Sequence, residues 1–153
     1  MSVKTLLLSL LASLVAHSAF ARLGETKDEC ETRYGFARGQ MGNGVTYLKD
    51  HITIIVVYKD DHSVRETFVP EGGSFLHEEQ IDDLLNANSR GSKWNMVNED
   101  PVAGYRKYGL ANGELFALYE WRGVTATQEK MGTSLTIRVW NKGPEKKPSD
   151  SGF

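Results

Sequence analysis

Residues 52–69 run ITIIVVYKDDHSVRETFV. Ile52 to Tyr58 is dense in β-branched residues and apolar on both faces, the composition of a central strand. Lys59-Asp60-Asp61-His62 forms a polar turn, and Ser63 to Val69 resumes the extended pattern. A connection this short joins antiparallel neighbours, so the stretch predicts a hairpin. Pro70 and Gly72-Gly73 close it.

Before the hairpin, Thr26-Lys27-Asp28-Glu29 has the form of a capping box. It predicts a short helix from there to about Tyr34, stopped by Gly35 in the left-handed conformation. Leu23, Cys30 and Tyr34 fall on its packed edge. Gly39, Gly42 and Gly44 predict a loop, with Val45 to Leu48 a further strand. After the hairpin, Leu76 and Ile81 occupy the positions of a hydrophobic staple around a second helix. Ile81, Leu84, Leu85 and Asn88 line its inner face and Gly91 is placed to end it. Its cap position holds His77, where Ser, Thr or Asp would serve better.

Further strands are expected at Trp94 to Val97, Tyr105 to Tyr108, Glu114 to Arg122 and Ser134 to Trp140, with Asn98-Glu99-Asp100-Pro101 as a turn. The order helix, strands, helix, strands predicts an α+β fold, an antiparallel sheet with two short helices packed on one face. It suggests two helix-then-strands units, although residue identities between them do not match.

Eighteen basic against 20 acidic residues give a net charge of −2, too little positive charge for a general nucleic-acid binder. A length of 153 residues fits one domain, and a single cysteine excludes an internal disulfide framework. The first 21 residues stand apart. Lys4 precedes the apolar run Thr5 to Ala16, and Ala19-Phe20-Ala21 follows the small-x-small cleavage pattern. That is the layout of a signal peptide spanning 1–21, and the apolar run is shorter than the roughly 20 residues a membrane span requires. A single domain over 22–142 and a disordered tail over 143–153 are expected to follow, the tail being rich in turn formers and charge. Export to the periplasm or beyond, with no membrane span after cleavage, is the expected localisation.

Arg22-Leu23-Gly24-Glu25-Thr26, Cys30 and Arg33-Tyr34-Gly35, together with HEEQIDDLLNANSRGSKW over residues 77–94, resemble segments of small secreted proteins of unknown function from verrucomicrobia-type bacteria. That resemblance implies a bacterial exported protein and supplies no activity. More loosely, a helix feeding a strand hairpin is similar to the envelope assembly-factor and β-lactamase-inhibitor-like α+β folds, a likeness of topology that does not carry function.

Chemistry-bearing residues are dispersed. Cys30 lies between Glu29 and Glu31, which disfavour a thiolate, and reads as a core residue; a reactive thiol and a disulfide-linked dimer through it are the alternatives. His77-Glu78-Glu79 lacks the second histidine of a zinc-binding helix, because position 81 is Ile. His51 and His62 flank the central strand as loop residues. Asp60-Asp61 and Asp82-Asp83 are adjacent pairs whose side chains diverge, so neither makes an acid dyad. Residues 39–44, GQMGNG, lack the Lys-Ser/Thr ending of a phosphate loop. No metal, cofactor or catalytic residue is assigned.

Aromatic residues concentrate in the second half. Trp140, beside Arg138 and Thr136 and opposite Leu135, Ile137 and Val139, is the expected exposed anchor. With Arg138, Trp121 and Trp94 it forms the candidate interaction surface. The function expected is non-catalytic binding of another protein or an envelope component. The alternatives are a small hydrolase using scattered acids and the loop Ser89 to Gly104, and a periplasmic structural or assembly factor.

Overall fold

A computed structural model describes residues 22–121, 123–124, 130–131 and 133–139. The expected leader (1–21), Trp140 and the expected tail (143–153) lie outside the described residues.

Helix α1 spans Lys27–Tyr34. Thr26 Oγ1 accepts the Glu29 amide hydrogen at 3.3 Å, and Glu29 Oε2 accepts the Thr26 amide hydrogen at 2.8 Å. The capping box is therefore reciprocal, satisfying two amides that a helix start leaves without intrahelical partners. These bonds, the Thr26 amide foremost, hold the Glu29 carboxyl below its ordinary pKa. The helix stops at Gly35, whose φ of 88° and ψ of −176° depart from the left-handed helical conformation expected there. That region is open essentially to glycine alone, so glycine is still the residue the turn requires.

Helix α2 spans Glu78–Ala87, with Leu76 and Ile81 both buried as the staple demands. Gln80 Oε1 accepts the His77 amide hydrogen at 2.9 Å and so reinforces a weak cap position. The helix ends before Gly91; Asn88 caps it, and left-handed Arg90 and Gly91 turn the chain afterwards. Asn88 is buried. Its Oδ1 accepts the Leu23 amide hydrogen at 2.8 Å and its Nδ2 donates to the Leu84 carbonyl at 3.1 Å, tying the chain before α1 to α2.

The strands are β1 (Gly39–Met41), β2 (Gly44–Lys49), β3 (Ile52–Lys59), β4 (His62–Pro70), β5 (Trp94–Asp100), β6 (Tyr105–Leu110), β7 (Leu115–Glu120), β8 (Gly123–Val124), β9 (Lys130–Met131) and β10 (Ser134–Val139). Eight form one sheet in the order β1-β2-β3-β4-β10-β7-β6-β5, and β8 pairs with β9 separately. All the pairings are antiparallel. The 52–69 hairpin forms as read. Asp60 and Asp61 both take positive φ, as do Asp50 and His51 in the turn before β3. Two-residue turns with both φ values positive match the twist of the strands they join.

Two expectations are corrected. The glycines of 39–44 do not make a loop, because Gly39–Met41 pairs with β2 as an exposed edge strand. Asn98 to Asp100 is not a turn either. It continues β5 past a bulge near Val97, pairing with Lys107, Arg106 and Tyr105. Edge strands carry polar residues readily, because one side of the ladder faces solvent.

The α+β fold is as expected, and its element order repeats. Helix α1 precedes the meander β1 to β4; α2 precedes β5, β6, β7 and β10 in the same sheet. The last strand of each unit meets the other at the β4–β10 seam. Both helices pack on one face. Tyr34 of α1 lies against Tyr47 with ring centroids 5.6 Å apart, while Trp94 Nε1 donates to the Leu85 carbonyl at 2.6 Å. Between helices and sheet the row Ile54, Phe68, Leu135 and Tyr119 runs across four strands in direct register, all four buried. Full burial of such a side chain stabilises by roughly 1.5–3 kcal/mol.

Candidate binding face

Side chains alternate across each strand, so the register that buries this row turns its neighbours to the opposite face. There Ile55, Thr67, Thr136, Leu118 and Lys107 run in register from β3 to β6. Beside them run Val57, Arg65, Arg138 and Phe116. Neither α1 nor α2 packs on this face. Ile55, Val57, Phe116 and Leu118 are half-buried there.

Local sequence makes the face tight. Thr67 and Thr136 hydroxyls meet at 3.1 Å across the seam. At Gly44 an added Cβ would come within 2.5 Å of Ile55 Cγ2, so only glycine leaves room for Ile55 beneath the β1–β2 hairpin. Cations then lie over rings. The Arg138 guanidinium stands 5.5 Å from the Phe116 centroid, and the Lys107 ammonium 4.8 Å from that of Tyr105. Each such contact is worth about 0.5–1 kcal/mol where exposed, and it holds the charged head in place.

Of the surface expected from sequence, Arg138 lies on this open face. Trp94 and Trp121 do not join it. Trp94 is fixed to the α2 backbone, and Trp121 stacks near Tyr119 at 5.5 Å under the Arg106 guanidinium on the helix side. Trp140, the expected anchor, is outside the described residues. Phe116, Leu118, Lys107 and Arg65 were not singled out by sequence, since only the register of β10 between β4 and β7 assembles them.

The reactive-looking groups are held apart or buried. Cys30 is fully buried, and desolvation pushes its thiol up to about 12 against a partly offsetting bond from Tyr58. At neutral pH it is a thiol, as a core cysteine should be. His51 sits in the turn before β3, whereas His62, expected in a loop, opens β4 opposite Lys59 at the other end of β3. Asp82 and Asp83 are exposed on α2. Ser89 to Gly104, the loop invoked for a hydrolase, contains strand β5. Among the described residues no group of three or more His, Cys, Asp or Glu could hold a metal ion, and no helix is long and apolar enough to cross a membrane.

One buried acid was missed. Glu66 lies in β4, in register with Val56 and Ile137, and is fully buried on the helix side. Its Oε2 accepts from the Tyr34 hydroxyl at 3.4 Å, while Oε1 has no hydrogen-bond partner among the described residues. Desolvation foremost, with Glu25 nearby, raises its pKa to about 8, against smaller opposing effects of Tyr34, Arg33 and Ser63. Arg33 is itself bonded to Glu25 through Nε at 2.8 Å and through Nη2. Alternation with Phe68 was the available signal for an inward Glu66.

No family model, curated protein or solved structure matches the chain.

Proposed function

We propose that this is an exported, non-catalytic binding protein that docks a partner protein on the face of its sheet opposite α1 and α2. The carrying observation is the composition of that face: aromatic rings under fixed cations, beside half-buried aliphatic side chains. Aromatic and Arg side chains set among apolar neighbours are the usual anchors of protein interfaces. A flat β surface also presents these groups at little further entropic cost, because the strands already fix them. Lys59, Arg65, Lys107 and Arg138 make the face complementary to an acidic partner surface, although the chain as a whole is slightly acidic. Export, which residues 1–21 imply, puts that partner in the envelope or outside the cell.

Site-specific photocrosslinking in cells tests this. A photoreactive residue at 118, on the open face, should give one dominant heteromeric adduct, while the same residue at 83, on the outer side of α2, should not. The Phe116→Ala chain should lose most of the 118 adduct while keeping its fold. Equal adduct patterns from both positions, or an adduct with a second copy of the chain alone, would defeat the proposal.

A further inference from the structure

Arg65 and Arg138 are direct cross-strand partners on the seam between the two units. Their Cα atoms are therefore about 4.5–5.5 Å apart, and like charges placed opposite one another destabilise a sheet. Lys59 joins them. With Asn43, Val57, Val64 and Val139 these cations line a groove of about 340 Å³ at one end of the open face. No carboxylate lines it among the described residues. Three arginines elsewhere are paired with carboxylates: Arg106 bonds both Glu78 and Glu99 at 2.6 Å, Arg33 bonds Glu25, and Arg90 lies 3.8 Å from Glu114. The groove's arginines are instead oriented by neutral groups. Asn43 Oδ1 accepts from Arg65 Nη2 at 3.3 Å, and Phe116 lies under Arg138.

We propose that this groove binds a dianionic tetrahedral oxyanion, a phosphoryl group borne by the partner. The inference rests on the docking face described above and specifies the chemistry of one group it receives. Two guanidinium forks and an ammonium supply several donors around a small volume, the arrangement that suits a tetrahedral anion. A dianion offsets more of the three positive charges than a single carboxylate does. The valines beside it lower the local dielectric and strengthen the attraction.

The test is an NMR titration of the ¹⁵N-labelled full chain with inorganic phosphate, and separately with sulfate, at constant ionic strength set by sodium chloride. The Asn43 amide and the Arg65 and Arg138 guanidinium resonances should shift along saturating curves. Arg65→Gln and Arg138→Gln should each weaken binding at least fivefold, whereas Lys107→Gln, on the same face outside the groove, should leave it unchanged. Sulfate, a second tetrahedral dianion, should shift the same resonances. Shifts that rise linearly without saturation, equal shifts around Lys107, or unchanged affinity in the glutamine variants would overturn the site. Should either variant fail to fold, the localisation and saturation of shifts in the unaltered chain still decide. The titration needs no partner, so its failure beside a 118 crosslink removes the anion site alone, and its success without a crosslink removes only the docking proposal.

Discussion

Replacing Glu66 with Gln should flatten the dependence of stability on pH. Glu66 is buried among Cys30, Tyr34, Ser63 and the Glu25–Arg33 pair, and its folded pKa is raised to about 8 from an ordinary value of 4.5. Between those values the folded chain holds a proton that the unfolded chain has released, so stability falls as pH rises. The contribution is fully present below the unfolded pKa and is lost as pH approaches 8. Each pH unit inside that window costs about 1.4 kcal/mol, so roughly 3 kcal/mol disappears between pH 5 and pH 7. That is a large share of the about 5–15 kcal/mol by which a domain is usually stable. The neutral amide of Gln has no proton to lose. Urea unfolding at pH 5, 6, 7 and 8, followed by tryptophan fluorescence, measures both chains. The stability difference between Glu66→Gln and the unaltered chain should rise by about 3 kcal/mol from pH 5 to pH 7. Any fixed effect of the amide on packing cancels in that comparison. Parallel stability curves would refute a protonated buried Glu66.

Three further outcomes follow from particular contacts. Thr26→Ala removes the acceptor of the Glu29 amide and should cost about 1 kcal/mol in urea unfolding, with Thr26→Ser retaining most of the stability. Gly44→Ala forces Ile55 off its position and should cost about 1–3 kcal/mol, visible as a lower thermal midpoint. In the unaltered chain Cys30 should resist alkylation by iodoacetamide at pH 8 and react only as fast as the chain opens; prompt modification of the native protein would contradict a buried, protonated thiol.

The local half of the fold was legible in the sequence. Thr26 and Glu29 announce α1, Leu76 and Ile81 announce α2, and the β-branched run 52–58 with its Asp60-Asp61 turn announces a hairpin, because each signal acts between residues close in the chain. What remained hidden depends on neighbours distant in sequence. β1 looks like a glycine loop because an exposed edge strand needs no apolar pattern, and Asn98 to Asp100 looks like a turn for the same reason. Placing β10 between β4 and β7 is a non-local choice, yet it alone brings Arg138 opposite Arg65 and beside Phe116. Arg138 could therefore be named as a surface residue while its partners could not. Tryptophan content misled in the other direction: Trp94 and Trp121 are large enough to serve the core, and the sheet turns both toward the helices.

The central claim, that a partner docks on the sheet face opposite α1 and α2, is tested most directly by thiol modification at two adjacent positions of β7. Ala117 is fully buried on the helix side and Leu118 points to the open face. With Cys30 protected in the core, Leu118→Cys should react readily with a maleimide in the native chain, and Ala117→Cys should not. Equal protection of both would mean that the face is already covered, and would contradict the account.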